Sequence, residues 1–172
     1  LRAYTQETGV EIAVATIFTT QDVVGEMLAI RDHIHSRPAP TPRAIESQGV
    51  TNSLYEMVVG LYDAPNFQDG ESPFLTGEGG KIYFDASGAP IVQREEELRF
   101  ALSVPVTDEM PEAGWPVVLY GHGTGGNYQT FSRSANVASR LAQQEVEGVA
   151  PIAVLSIDQL HHGQRDAREN SC

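Results

Sequence analysis

In VVLYGHGTGGNYQTF, residues 117–131, four apolar residues run straight into Gly-His-Gly-Thr-Gly-Gly before the chain turns polar. An ordinary strand exit needs a single glycine at most, wherever φ must be positive. A glycine-rich turn at the carboxyl end of a parallel strand does something more. It leaves backbone N–H groups unpaired where ligands of open α/β sheets bind, and such a turn can hold an anion. Two anions are open: a nucleotide phosphate and the transient oxyanion of acyl transfer. No lysine stands near to complete a Gly-Lys-Ser/Thr loop, a histidine follows the first glycine and Asn127 follows Gly126, so phosphate is the weaker expectation. For an oxyanion, the His122 ring would brace the loop, the small Gly123 and Gly125 would let substrate approach, and the Thr124 amide would face the developing charge. The plain alternative is a glycine turn that only links strand to helix. Tyr128 and Phe131 follow at once and are the candidates to touch substrate, with packing of the next helical turn as their other role. Trp115, just ahead of the strand, is core or rim packing before it is the wall of an acyl pocket.

A second group of candidates lies further on. Asp158 and the His161-His162 pair have a loop spacing that zinc could accept, but the ligand count is short of the four a zinc site needs, so neither a metal nor a cofactor is expected. Asp158 is expected to take hydrogen bonds from backbone or from Arg165, with one of the two histidines packed by the glycine loop. The run Arg94-Glu95-Glu96-Glu97 reads as a solvated strand entrance.

The elements that must position these residues follow from periodicity. EIAVATIFTT, residues 11–20, is dense in β-branched residues and fits a buried strand. DVVGEMLAIRDHIH then puts Val23, Met27, Ile30 and Ile34 at helical spacing, with Thr20 or Asp22 as N-cap, and the three prolines of SRPAPTPR end that helix in an extended connector. LYEMVVGLY predicts a strand with a glycine interruption, followed by the turn-rich DAPNFQDGESP. KIYF and PIVQ flank the turn Asp85-Ala-Ser-Gly88 as a hairpin, and LRFALSVPV alternates as a strand, which together suit an antiparallel edge. After the acidic turn TDEMPEAGW come PVVLYGH, SRSANVASRLAQQ and PIAVLSID. They read as strand, helix and strand, a βαβ unit with a parallel pair covered on both faces.

Composition bounds the function. The 172 residues are 41% hydrophobic, a globular balance, and their net charge of −12 argues against a nucleic-acid or anionic-membrane surface. No apolar run approaches the roughly 20 residues of a membrane span, and the N-terminus lacks the basic-then-apolar order of a signal peptide. The chain begins at Leu1 and stops at its single cysteine, Cys172, which reads as a processed piece whose thiol is free or bridges a second chain.

At VVLYGHGTGG and VLSIDQLHHGQR the sequence resembles the α/β-hydrolases, whose oxyanion hole takes one donor from an HGGG-like loop after the third strand. ATIFTTQD, YDAPNFQDGESPF and ELRFALSVP resemble more narrowly the bacterial extracellular lipase/esterases of the Pla-1/cef type. The resemblance implies an α/β fold: the N-terminal half of an α/β-hydrolase sheet with a β-rich N-terminal extension. Residues 1–75 would be that extension and connector, and residues 76–172 the first half of the core. It also implies a serine carboxylic-ester hydrolase, with an extracellular or periplasmic location. The departure is that no serine lies in G-x-S-x-G and all three late histidines precede where such a serine would stand. The Ser-Asp-His triad is therefore expected on a second polypeptide from the same precursor, to which Cys172 offers a disulfide link, and this chain alone should turn over no ester. The rival is a non-catalytic, hydrolase-like binding or interaction module that kept the glycine loop and lost the triad.

Overall fold

The computed structural model describes residues 24–72, 79–133, 136–143 and 149–165, with the single positions 6, 9, 16, 22, 74 and 77. The strand expected over residues 11–20, and Cys172, lie outside the described residues. In chain order come α1 (Gly25–Ser36), β1 (Arg43–Thr51), β2 (Tyr55–Asn66), β3 (Gln68–Gly70), β4 (Gly79–Ile82), β5 (Arg94–Pro105), β6 (Val117–Tyr120), α2 (Val137–Ala142) and β7 (Ala153–Ile157), with single 3₁₀ turns at Thr130–Ser132 and Gly163–Arg165. One mixed sheet has the order β1-β2-β5-β7-β6, and β3-β4 form a separate ribbon. Every pair in the large sheet is antiparallel except β6 with β7, which is parallel. The fold is α/β in kind but rich in strand. The sheet runs across residue 75, joining β1 and β2 to β5, β6 and β7.

Alternation along the strands decides which side is covered. Tyr55 and Met57 of β2, Ala101 of β5 and Val154 of β7 point to one face, where Phe131, Ala138 and Ala142 close the core over them. Alanines on both helix and strand let α2 approach the sheet closely. Deep between the strands, the Ser103 hydroxyl accepts the Val154 N–H at 3.1 Å, satisfying a polar group that burial would otherwise make costly. Gly60 interrupts β2 for a steric reason: a Cβ there would come within 2.7 Å of the Phe100 ring on the paired strand.

The βαβ unit differs from expectation in two ways. The helix is short, and β6 is largely uncovered, only Tyr120 at its end packing against the core. It is an edge strand among the described residues, with Val117 58% and Leu119 70% exposed. The unpaired edge and the apolar side chains lie on one strand, the combination that natural sheets ordinarily avoid.

At the other edge, β1 was not foreseen from the sequence. It is mostly polar, its register with β2 breaks after Arg43 and after Ser47, and Gly49 takes φ +86°. Such bulges blunt an edge strand. Arg43 bonds both Asp63 and Glu97, tying β1 across β2 to β5. The expected helix is α1, beginning at Gly25 with Val24 at the N-cap position, and Asp22 just ahead of it accepts the N–H groups of Val24 and Gly25. Its stripe finds little to cover it, since no residue of α1 is buried. The turn Asp85-Ala-Ser-Gly88 forms as expected, with Gly88 at φ +84° and the Asp85 carboxylate accepting from Ser87 and Ala89. KIYF, however, meets PIVQ only at the bridge Phe84 to Pro90, because Gly79–Ile82 pairs with Gln68–Gly70 instead.

Candidate functional site

The glycine loop leaves the carboxyl end of β6 beside the end of β7, and its glycines serve three different purposes. Gly125 takes φ +75°, which other residues adopt only with strain. Gly126 lies against the His122 ring: a Cβ there would be 2.8 Å from Nδ1 and 2.9 Å from the Gly123 carbonyl oxygen. Gly123 faces open space, with nothing within 4 Å of where its Cβ would be. The Gly126 N–H returns to the Gly123 carbonyl at 3.0 Å and closes the turn. Among the described residues the N–H groups of Gly123, Thr124 and Gly125 donate to no protein group, and all three residues are exposed. Three successive unpaired donors on a tight turn are suited to receive negative charge.

His122 is 4% exposed and braces this turn at both ring nitrogens. Nε2 accepts the Gln159 N–H at 3.2 Å, which leaves Nδ1 to carry the proton and donate to the Gly123 carbonyl at 3.0 Å. The His162 ring meets it edge-on at 5.0 Å. His161 is exposed, at a positive φ of 60°.

Asp158 is 2% exposed and its carboxylate gathers three segments. Oδ1 accepts the Tyr128 N–H at 2.9 Å; Oδ2 accepts Arg99 Nε at 2.5 Å and the Gln164 N–H at 3.1 Å. Of the two kinds of partner expected from the sequence, backbone donors reach the carboxylate, while Arg165 reaches the Asp158 backbone carbonyl instead. The guanidinium that does pair with Asp158 belongs to Arg99 of β5, and it also lies over the Tyr128 ring at 4.2 Å. A signal for Arg99 was present in LRFALSV: it shares the strand parity of Ala101 and Ser103, the covered face, where a charge requires a partner. With its carboxylate so engaged, Asp158 does not join His161 and His162, and among the described residues no three His, Cys, Asp or Glu side chains gather at metal-binding distance.

Of the aromatic candidates, Tyr128 is half-buried under Arg99. Phe131 has no exposed surface and packs in the core, 6.2 Å from the Tyr120 ring. Trp115 precedes the amino end of β6, about 20 Å of extended chain from His122, in a shallow cleft with Pro111, Val149 and Pro151. The run at 94–97 is less solvated than expected. Glu96 takes bonds from Asn66, Arg94 and Arg165, and Arg94 also reaches the Gln68 and Gly70 carbonyls.

Gly121, Gly123 and Gly126 stand at the Gly-x-Gly-x-x-Gly spacing of dinucleotide loops. Such a loop works by opening a helix whose N-terminus holds the pyrophosphate. Here no helix opens at Gly126. The chain makes a turn and a single 3₁₀ turn, and α2 begins only at Val137, so the feature that would hold a phosphate is missing from this stretch.

Among the described residues the chain forms a mixed sheet with one parallel pair, and a glycine turn at the end of that pair has three successive amides that donate to no protein group. Comparison of the chain with protein-family models, with curated proteins and with solved structures gives no match.

Proposed function

We propose that this chain supplies the oxyanion-binding portion of a serine carboxylic-ester hydrolase whose Ser-Asp-His triad lies on a second polypeptide. The observation that carries the reading is the braced turn itself: unpaired, exposed N–H groups at Gly123, Thr124 and Gly125, directly after a parallel strand and seated on a buried histidine. The strand order lends support, because the parallel pair follows an antiparallel run and the exposed β6 edge offers a further strand a place to add.

In this mechanism the serine hydroxyl attacks the ester carbonyl, its proton passes to the triad histidine, and the carbonyl oxygen becomes the oxyanion. The Thr124 amide and the amide after the nucleophile receive that charge, each worth about 3 kcal/mol in the transition state. The open space at Gly123 admits the ester, and Tyr128, directly after the turn, is the aromatic side chain offered to it. Export to the periplasm or beyond goes with the same reading.

The test is intact mass and fluorophosphonate labelling of the purified material, resolved on a denaturing gel with and without reductant. Label on a second polypeptide is the expected result, and a reductant-sensitive link would assign Cys172, the only cysteine of this chain. No second polypeptide and no label would overturn the reading and leave a binding module.

A further inference from the structure

We infer that Asp158 is a positioning residue for the anion-receptive turn, clamping it from one point with Arg99 as its counter-ion. The juxtaposition is specific. The turn is pinned at both ends to two adjacent residues: its start through His122 Nε2 to the Gln159 N–H, its end through the Tyr128 N–H to Asp158 Oδ1. Between these pins every bond of residues 123–127 is local: the Gly123 carbonyl accepts from Gly126 N–H and His122 Nδ1, and Asn127 is bonded to Gln129 and Thr130 just after it. The direction of the three unpaired amides is therefore set by where residues 158 and 159 stand.

What holds those two residues is the carboxylate. A buried charge is tolerated only when paired and hydrogen-bonded, and Asp158 meets that demand by drawing together β5, the end of the turn and the segment after β7. The neighbouring loop is shaped around it. Gly163 takes φ +55°, and a Cβ there would come within 2.1 Å of Asp158 Oδ1. Arg99 contributes twice, through Nε to the carboxylate and through its face to the Tyr128 ring, so the cation and the end of the turn move together.

The significance for ester hydrolysis rests on the proposed function; the clamp does not. The experiment uses the full chain with whatever co-purifies, as wild type, Asp158→Asn and Gly163→Ala. The first turns one carboxylate oxygen into a donor facing Arg99 or Tyr128. The second keeps every ionisable group and displaces the carboxylate sterically. Amide exchange is followed at Gly126, Tyr128 and Gln159, with the β5–β7 ladder as internal reference. Both variants are expected to exchange about tenfold faster at those three amides while the ladder stays near wild type, and Arg99→Lys should fall between. In material that turns over ester, kcat should fall by a similar factor with KM little changed.

Equal acceleration throughout the ladder would reduce Asp158 to general support of the sheet and overturn the proposal. So would unchanged exchange at Tyr128 and Gln159, or unchanged kcat in an active preparation whose turn has loosened. Selective loosening in material that neither labels nor hydrolyses would uphold the clamp while the ester-hydrolase reading fails.

Discussion

An alanine scan along the glycine loop should give three different answers within four residues. Gly126→Ala would put a methyl 2.8 Å from His122 Nδ1 and 2.9 Å from both the Gly123 oxygen and His122 Cβ, where van der Waals contact requires about 3.5 Å. None of these atoms is the end of a free side chain: His122 is bonded at both nitrogens, and the oxygen is backbone. Overpacking of this kind costs about 1 to 3 kcal/mol. Gly125→Ala has another cause, the positive φ, and should cost about 1 to 2 kcal/mol. Gly123→Ala meets open space and should stay within about 0.5 kcal/mol of wild type. Urea unfolding followed by the single tryptophan, Trp115, reads all three. With a slope of about 2 kcal/mol per molar, 2 kcal/mol moves the midpoint by about 1 M. If Gly123→Ala destabilises as much as Gly126→Ala, the loop does not have this conformation and the reasoning from it fails. If the proposed chemistry holds, Gly123→Ala will also separate stability from function, leaving the midpoint in place while its methyl obstructs the substrate path.

Burial raises the Tyr62 phenol, partly offset by Arg165 nearby. A folded value above the unfolded one favours the neutral form, so this contribution is complete below about pH 10 and is lost as pH rises through the folded value. Tyr62→Phe should flatten the alkaline fall in urea midpoint, and an unchanged slope would contradict the burial. The Asp85 carboxyl is held low, first by the Ser87 hydroxyl and then by the Ala89 and Ser87 amides. Its contribution is present above the ordinary value of 3.8 and lost as pH falls through the depressed folded value. The Ser87 and Ala89 amide resonances should shift in that acid range in wild type and not in Asp85→Asn. Leu119→Lys, at a side chain 70% exposed on β6, should change stability by less than about 0.5 kcal/mol yet abolish co-purification of a second polypeptide, as read by size exclusion and denaturing gel. Retention of that polypeptide would remove β6 as its docking edge.

Much of the sheet was legible because its strands carry their own pattern. LYEMVVGLY, LRFALSVPV and PIAVLSID are strands where the letters place them, and the parallel pair follows from two apolar runs separated by a helix-forming stretch. β1 was not legible, because RAIESQGVT is too polar to alternate and is held by pairing to β2 and by Arg43, both long-range. KIYF divides between two partners for a related reason, Phe84 bridging Pro90 while Lys81 and Ile82 belong to β4. A good turn sequence fixes the turn, while strand pairing depends on what else is adjacent, here Gln68–Gly70. At the site, His122 as a brace could be anticipated from its place between glycines. Its partner Gln159 and the Arg99–Asp158 pair could not, since they connect positions 37 and 59 residues apart.

Those separations bear on how the molecule comes together. Local turns form early and distant pairings late, because a long loop must close before its contacts are gained. The turn after β6 can take its final shape only once β7 has docked between β5 and β6 and brought residues 158 and 159 beneath it. The braced geometry of the turn should therefore be among the last features acquired in folding. During partial unfolding it should be among the first surrendered, disappearing while most of the sheet still gives its circular-dichroism signal.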